Sequence, residues 1–367
     1  MKQLKLIIFL IFIETSLFGQ NNDTWTSFWN SDSTLIGYKD KNNVVKIPPR
    51  FSLFQTADKF DNIIAVTEEV NGELKTHYLS KLGKNFGKDS LHSFDNTYDC
   101  ENEGFIRFRD RITDKVGMFN RKGEIIVPAE YNELTKVING LIVGLKGAEK
   151  KFWDKEKHSD CNHFSWTGGK EVLIDTLNNL MVDSFSYEHK LNLFSIEQVD
   201  NTHSVTHSDT IRKYFKARNG NYYSFVDFEK EFKQWLNNDL LIDLSIDKLV
   251  NSSYDSIIWE SSGCWDKTDK QTFINRNFPA LKISLLEIFD SKREHFIFMN
   301  SLNSFMYEGA EFEKYYNNCG QGKEWIYPVM ELVISSKKKL SQDSFTFLKT
   351  DSGYKLINVT IRNRKLK

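Results

Sequence analysis

Short apolar runs separated by polar turn residues dominate the first half of the chain. The runs "IIAV" (63–66), "GFIRF" (104–108) and "GLIVGL" (140–145) have the length of β-strands. Asn or Gly marks the turns between runs: Asn42 with Asn43, Leu82 with Gly83, and Lys122 with Gly123. Both residue types accept the positive φ that tight hairpin turns require. The pattern predicts β-hairpins, with the run "EIIVP" ending at its proline because proline cannot donate to a sheet.

One segment of this pattern occurs twice in the sequence. "IGYKDKNNVVKIPPRF" (36–51) recurs 80 residues later as "VGMFNRKGEIIVPAEY" (116–131). A weaker copy, "THYLSKLGKNF", places Tyr78 and Gly83 40 residues after Tyr38 and Asn43. "FSWTGGKEVLIDT" (164–176) is a degenerate fourth copy. The chain therefore has a period of about 40 residues, which is typical of repeat architectures.

The recurring residues are those that a backbone needs in order to turn and pack. We assign structural roles to Gly37, Pro48, Gly83, Gly117, Gly123 and Pro128. None of these side chains can attack, protonate or ligate. A single hairpin unit cannot bury its apolar face alone, so stacking of neighbouring units is expected to close a continuous core.

The repeated pattern resembles the WG-repeat family, a group of bacterial β-repeat proteins that are often exported. The residues that carry the resemblance are Gly37, Asp40, Val45, Ile47, Pro48 and Phe51, and then Gly117, Asn120, Gly123, Ile125, Val127, Pro128 and Tyr131. The likeness covers roughly residues 30–185. It departs from the family at Ile36 and Val116, where a tryptophan is usual, and at His77, which replaces the glycine of the middle copy. Such repeats imply binding or scaffolding rather than catalysis.

The second half has a different pattern. "SFVDFEKEFKQWLNND" carries Phe225, Phe228, Phe232, Trp235 and Leu236 on one helical face, with Ser224 as the expected N-cap. "KTDKQTFINRNF" predicts a short helix that stops at Pro279, and "SYDSIIWES" predicts a strand. Three runs near the C-terminus predict an antiparallel meander. A helix followed by a curved meander resembles NTF2-like α+β domains, which often hold pockets.

The predicted fold class is a mainly β array of stacked hairpin units with a period of about 40 residues, followed by an α+β domain with a C-terminal antiparallel meander. The predicted organisation is a signal peptide at 1–19, a WG-like β-repeat domain at 20–197, a linker at 198–210 and an α+β domain at 211–367. The linker is placed where "QVDNTHSVTHSDT" is polar and almost free of large apolar residues.

The N-terminus and the composition indicate where the protein works. "MKQLK" precedes the apolar run "LIIFLIFI" and then "ETSLFG", which predicts a secretory signal peptide cleaved after Gly19. An uncleaved anchor is the alternative. We expect an exported protein, periplasmic or extracellular, with no integral membrane insertion after cleavage. The 367 residues are 40% hydrophobic and carry a net charge of -1. This charge gives no support for nucleic-acid binding.

Four cysteines in an exported chain suggest disulfides. They are Cys100, Cys161, Cys264 and Cys319. The simplest pairing joins the two in each half, Cys100 with Cys161 and Cys264 with Cys319. The sequence allows three connectivities, and four free thiols are also compatible with it.

Two groups of residues are candidates for chemistry. His158, Asp160, Cys161 and His163 lie within six positions and could ligate a metal, although zinc sites usually use two separated pairs of ligands. A polar loop between repeat units is the structural alternative. His203 and His207 have i, i+4 spacing, but their surroundings favour a linker.

A Cys–His pair could provide a nucleophile, which makes Cys264, Asp266 and His295 weak catalytic candidates. No signature of a known cysteine hydrolase surrounds them, and an exported cysteine is more often oxidised. "CGQGKEW" (319–325) lacks the context of a phosphate-binding loop and is interpreted as a turn. The eight tryptophans are expected in the core by default.

We therefore expect an exported, non-catalytic binding or scaffold protein without a cofactor, whose β-repeat surface engages a protein or a cell-envelope component. One alternative is a hydrolase or other enzyme with its site in a C-terminal α+β pocket. A second alternative is a toxin-neutralising module, which differs only in its partner.

Overall fold

A computed structural model describes residues 23–52, 57–94, 97–153, 163–200, 210–261, 263–336, 339–362 and 364–367. The described chain is mostly β, with many antiparallel sheets and few helices. The expected mainly β composition is therefore confirmed. The predicted signal peptide lies outside the described residues. None of the helices in the described ranges is long and apolar enough to cross a bilayer.

The described residues of the first part of the chain, up to Asp227, form strands and no helices, and we call it the strand-only part. They are β1 (Trp25–Trp29), β2 (Leu35–Lys39), β3 (Val45–Ser52), β4 (Lys59–Phe60), β5 (Ile63–Val70), β6 (Glu73–Ser80), β7 (Asn85–Phe86), β8 (Ser93–Phe94), β9 (Thr97–Tyr98), β10 (Phe105–Asp110), β11 (Lys115–Asn120), β12 (Ile125–Tyr131), β13 (Glu133–Leu134), β14 (Leu141–Phe152), β15 (Phe164–Asp175), β16 (Leu180–Val182), β17 (Leu191–Val199), β18 (Arg212–Lys216) and β19 (Tyr222–Asp227). The sheet orders are β4-β1-β2-β3-β5-β6-β7, β10-β11-β12, β13-β14-β15-β16 and β17-β19-β18, with β8 and β9 forming a small ribbon.

The same hairpin turn occurs five times in the described residues of this first part of the chain. In each, the first residue donates its N–H to the carbonyl of the fifth, and the fourth donates to the carbonyl of the first. The turns begin at Asp40, Ser80, Asn120, Asp175 and Ala217. The fourth residue always has positive φ: 61° at Asn43, 80° at Gly83, 68° at Gly123, 62° at Asn178 and 89° at Gly220. Glycine and asparagine are used here because other side chains are strained in this conformation.

The repeated glycine and proline lie in the same structural feature, a β-bulge between two paired strands. Strand β11 skips register against β12, so that Met118 faces Val127 while Val116 faces Tyr131. Pro128 lies inside this bulge, where no ladder N–H is required. The prediction that the proline ends the strand is therefore wrong.

Opposite the bulge, a Cβ on Gly117 would lie 2.6 Å from the Val127 carbonyl oxygen. Strands β2 and β3 repeat the arrangement, since Tyr38 faces Ile47 and a Cβ on Gly37 would lie 2.5 Å from the Ile47 oxygen. Gly37 and Gly117 are thus required for close approach of two strands, whereas Gly83 and Gly123 are required by their positive φ.

The sheet of β17, β18 and β19 spans the predicted linker. Residues 201–209 lie outside the described ranges, but β17 pairs with β19 across this stretch. Helix α1 (Phe228–Trp235) begins only after β19, with Asp227 as its N-cap accepting from the N–H groups of Glu229 and Lys230. The predicted N-cap, Ser224, instead lies in β19. The local propensity of this segment for helix is overridden by its pairing in the sheet.

The last part of the chain packs helices on one face of a six-stranded sheet. Its elements are α1, a π-helical turn (Leu236–Leu240), α2 (Ile246–Asn251), β20 (Ser253–Ser261), β21 (Cys264–Asp269), α3 (Lys270–Leu286), a 3₁₀ turn (Glu287–Phe289), β22 (Arg293–Asn300), a 3₁₀ turn (Glu313–Tyr315), β23 (Val329–Ser336), β24 (Lys339–Thr350) and β25 (Gly353–Thr360). The strand order is β21-β20-β25-β24-β23-β22. The predicted antiparallel meander is confirmed as β23, β24 and β25.

Helix α3 runs through Pro279, although the proline was expected to end it. Phe273, Ile274, Leu281 and Leu285 lie on both sides of the proline, and all are fully buried in the core beneath the sheet. Burial of these side chains outweighs the penalty of a proline inside a helix, about 3 kcal/mol. The Phe273 carbonyl also accepts a hydrogen bond from the Asn277 side chain.

A long loop from the last part reaches back onto the first. We call this loop, residues 301–328 between β22 and β23, the tongue. Asn318 accepts from the Lys59 N–H and donates to the Asp61 carboxylate at 2.7 Å. Trp325 packs against the cluster of buried residues around Phe185. The opposite end of the tongue is buried against its own sheet through Leu302 and Tyr307.

A disulfide between Cys100 and Cys319 fixes the tongue. The expected pairing of Cys264 with Cys319 is wrong, and Cys264 is an exposed free thiol. Cys161 lies outside the described residues, and its expected partner Cys100 is bonded elsewhere. The sequence could not reveal this pairing because it joins residues 219 positions apart.

Replacing both Cys100 and Cys319 by Ser is expected to lower the free energy of unfolding by about 2–4 kcal/mol, because the bond restricts a very long loop of the unfolded chain. Denaturant unfolding of the oxidised protein measures this. The control is Cys264→Ser, for which we expect no change. Equal stability of the double variant and the wild type would contradict a stabilising role for the bond.

Candidate functional site

A cavity of about 330 Å³ lies where the tongue meets the first part of the chain. We call it the junction cleft. Its aromatic and charged lining residues are Arg107, Glu133, Lys136, Trp166, Glu171, Tyr187, His189, Glu324 and Trp325. Glu324 and Trp325 come from the tongue, and the others come from the strands and loops between β10 and β17. The cleft therefore exists only while the tongue is docked.

A buried ion pair forms one side of the cleft. Arg107 donates from Nη2 to Asp99 Oδ1 at 2.7 Å and from Nε to Asp99 Oδ2 at 3.0 Å. Its Nη1 donates to the Leu134 carbonyl at 2.7 Å. The Asp99 side chain is only 1% exposed. Burial raises the pKa of this carboxyl, but the charge and hydrogen bonds of Arg107 outweigh it and hold the pKa of Asp99 well below its ordinary value.

Glu133 extends this pair into a network. Its carboxylate lies 2.8 Å from His92 Nε2 and accepts from Arg109 Nη2 at 2.7 Å. Burial raises the pKa of Glu133, and the hydrogen bond from His92 with the charges of His92, Arg107 and Arg109 lowers it to a net value below the ordinary one. Arg107 and Arg109 are two positions apart in β10, so strand alternation directs both side chains to the same face.

Lys136 connects the network to the tongue. Its Nζ donates to Gln321 Oε1 at 2.9 Å and lies 5.7 Å from the centre of the Trp325 ring. Burial lowers the pKa of Lys136 to about 8, and the positive charge of Arg107 acts in the same direction, whereas Asp99 and Glu324 oppose the shift. A lysine with a lowered pKa in a cleft is typical of functional sites.

Aromatic side chains form much of the rest of the wall. Tyr187 is buried, its ring centre lies 5.0 Å from that of His189, and its N–H donates to Glu171 at 2.7 Å. Burial, followed by the negative charges of Glu324 and Glu171, raises the pKa of the Tyr187 hydroxyl. Trp166 and Trp325 are half-buried. Flat apolar surfaces next to a few fixed polar groups are typical of small-ligand pockets.

The predicted catalytic residues do not lie close together in the structure. Cys264 and Asp266 lie on β21, at one edge of the six-stranded sheet, while His295 lies on β22, at the other edge. Four strands separate the two edges. A Cys–His pair needs hydrogen-bond contact, so these residues cannot act together as a nucleophile and base. Sequence proximity could not reveal this because β21 and β22 are separated by helix α3.

The predicted metal ligands lie mostly outside the described residues. These are His158, Asp160 and Cys161, together with His203 and His207. His163 is described, and its ring stacks on Trp153 with centres 5.5 Å apart. Within the described ranges, no group of three or more His, Cys, Asp or Glu side chains is placed to hold a metal ion.

The residues of the junction cleft were not singled out from the sequence. Arg107 and Arg109 lie in "GFIRF" and the residue after it, where alternation with apolar residues was a signal of charges on one strand face. Glu324 and Trp325 lie in "CGQGKEW", which does contain the expected turn at its start. The expectation that tryptophans are in the core fails for Trp29, Trp153 and Trp265, which are 42%, 71% and 56% exposed.

Comparison with known proteins gives no relative. No family model, no curated protein and no solved structure matches this chain.

Asp99→Asn is expected to lower the free energy of unfolding at pH 7 by about 3–5 kcal/mol, because it leaves the buried Arg107 charge without its partner. Since the folded pKa of Asp99 is depressed, its contribution is present above pH 3.8 and fades as the pH falls below that value. The matched control is Asp183→Asn, which removes an exposed ion pair with Lys170 at 2.8 Å and should change stability by about 1 kcal/mol or less. Similar small losses in both variants would show that the buried pair is not structural.

The substitution Lys136→Met tests how the charge of Lys136 affects the free energy of unfolding. Its folded pKa of about 8 lies below the ordinary 10.5, so between these values the unfolded chain binds the extra proton and the wild type gains stability as the pH rises. The difference in free energy of unfolding, variant minus wild type, should therefore fall from pH 7 to pH 10. Denaturant titrations across this range measure it, with the exposed Lys170→Met as control. A difference that stays constant with pH would contradict the lowering of the Lys136 pKa by burial.

Proposed function

We propose that this chain is an exported, non-catalytic binding protein that holds a protein or a cell-envelope component at its junction cleft. The proposal extends the expectation from the repeats, because it assigns the contact surface to the place where the tongue lies on the strand-only part of the chain. A disulfide is compatible with the predicted export, since disulfides persist in oxidising compartments.

We further propose that the strand-only part is an array of stacked hairpins of the WG-repeat type. Five turns with the same two hydrogen bonds support this proposal. So does the register of the outer strands, in which Lys39 faces Val45, Phe119 faces Ile125 and Ile174 faces Leu180, always six residues apart. Stacked units of this kind offer broad surfaces for partners.

The observation that carries the binding proposal is the construction of the cleft. Its two walls come from distant parts of the chain and are joined by the Cys100–Cys319 bond and by the Lys136–Gln321 hydrogen bond. A cleft held in this way is pre-organised, so a ligand does not have to order it on binding.

The electrostatics of the cleft favour binding over bond cleavage. The carboxylates of Asp99 and Glu133 are engaged by Arg107, Arg109 and His92, so their charges serve the structure of the wall. Trp166 and Trp325 are half-buried, so part of each ring remains accessible to a ligand. Tryptophan in a partly buried position often dominates the binding energy of an interface.

The test uses the mature full-length protein with Trp325→Ala and Trp166→Ala. Co-sedimentation with isolated bacterial cell envelopes measures the dissociation constant. Each variant is expected to bind at least about tenfold more weakly, because loss of a central tryptophan typically removes 2 kcal/mol or more. The control is Trp153→Ala, an exposed tryptophan that does not line the cleft.

Binding that is equal in the wild type and both cleft variants would overturn the assignment of the cleft. A catalytic role would be indicated if the purified protein hydrolysed a common ester, amide or glycoside substrate and a cleft variant abolished the turnover.

A further inference from the structure

The six-stranded sheet has a second face, opposite the helices. The tongue covers part of this face through Leu302, Tyr307 and Phe312, and the rest is open. Two adjoining cavities of about 470 and 440 Å³ lie along it and share Trp265, Glu331, Ser344 and Thr360. Because they share these residues, they form one continuous groove, which we call the sheet groove. It is distinct from the junction cleft, with which it has no lining residue in common.

The floor of the groove is polar in the middle of the sheet. Along the register, Glu331 faces Thr346 and Thr346 faces Asn358. Ser344 and Thr360 form the next row on the same face. The alternate residues of the same strands, Phe345, Phe347 and Val359, are fully buried under the helices. The floor therefore presents hydroxyl, amide and carboxylate groups, each able to accept hydrogen bonds and most able to donate them.

Aromatic side chains flank this floor. Trp265 on β21 is 56% exposed, and Phe296 and Phe298 on β22 are 47% and 50% exposed. The register places Phe298 beside Glu331 and Phe296 beside Val333, at the edge of the groove. The two phenylalanine rings are nearly parallel, with an angle of 26° between their planes and 6.4 Å between their centres. Large apolar side chains exposed around a polar floor are typical of interaction sites.

The charge of the groove restricts its ligand. Glu260 is paired with Arg362, which leaves no net charge at that end. Glu331 has no ion pair within the described part of the chain, and its contact is the Asn300 amide at 3.4 Å. An unbalanced carboxylate in the floor disfavours phosphate and other anions.

On the sheet itself, the hydrogen bonds available to a ligand come from side chains. Strands β20, β25, β24 and β23 are paired on both sides, so their backbone groups are already used. An extended peptide would instead pair with the free edge of β21 or β22, since peptides that join a sheet add to an edge strand. A ligand in the groove must therefore offer many hydroxyl groups and flat apolar faces.

We propose that the sheet groove binds a segment of an uncharged oligosaccharide. Sugar hydroxyls would exchange hydrogen bonds with Ser344, Thr346 and Glu331, which are partly exposed. The apolar C–H face of a sugar ring would pack on Trp265. This assignment does not depend on the function proposed for the junction cleft.

Isothermal titration of the full-length protein with soluble cello-, xylo-, malto- and chito-hexaose tests the proposal. At least one is expected to bind, Trp265→Ala should weaken that binding at least tenfold, and Thr346→Val should weaken it with the fold retained. Trp153→Ala, an exposed tryptophan far from the groove in sequence, should bind like the wild type. Thermal unfolding of each variant checks that the fold is intact.

Three outcomes would overturn the proposal. They are no binding of any of the four oligosaccharides at millimolar concentration, equal binding by wild type and a folded Trp265→Ala variant, and Trp265-dependent binding of an extended peptide in place of the sugars.

Discussion

The disulfide between Cys100 and Cys319 holds the tongue against the strand-only part of the chain. It lies next to Asp99, whose pairing with Arg107 forms one side of the junction cleft. On the tongue, it is followed closely by Gln321, Glu324 and Trp325, which complete the cleft. The hydrogen bond from Lys136 to Gln321 and the position of Trp325 both require the tongue to remain docked. A single cross-link can have this effect because it removes most of the relative motion of the two walls.

A second constraint acts within the strand-only part. At each of five turns, one residue with positive φ allows the chain to reverse direction, and glycine or asparagine occupies that position. In two hairpins, a glycine without room for a side chain faces a bulged strand that contains a proline. The same residues recur because the same backbone problem recurs. These positions explain the repetition in the sequence without reference to any reaction.

Much of the local structure could be predicted, and most of the site could not. Turns at Asn43, Gly83 and Gly123 and the final meander follow from short-range rules on φ and alternation. Pro128 and Pro279 violated those rules because a bulge and a buried helix face removed the expected penalty. Helix α1 begins three residues later than its apolar pattern suggested, because Phe225 belongs to strand β19.

The junction cleft brings together Arg107 and Trp325, which are distant in sequence, and no local pattern links them. For the same reason the separation of Cys264 from His295 was not visible in the sequence.

The spacing of the cysteines has a consequence for biogenesis. In a chain that crosses a membrane from its N-terminus, Cys100 emerges first, and Cys161 and Cys264 both emerge before its partner Cys319. An oxidant that joins thiols in order of appearance would produce the wrong cross-link. Export into an oxidising compartment would therefore require a thiol–disulfide isomerase activity there in addition to an oxidase.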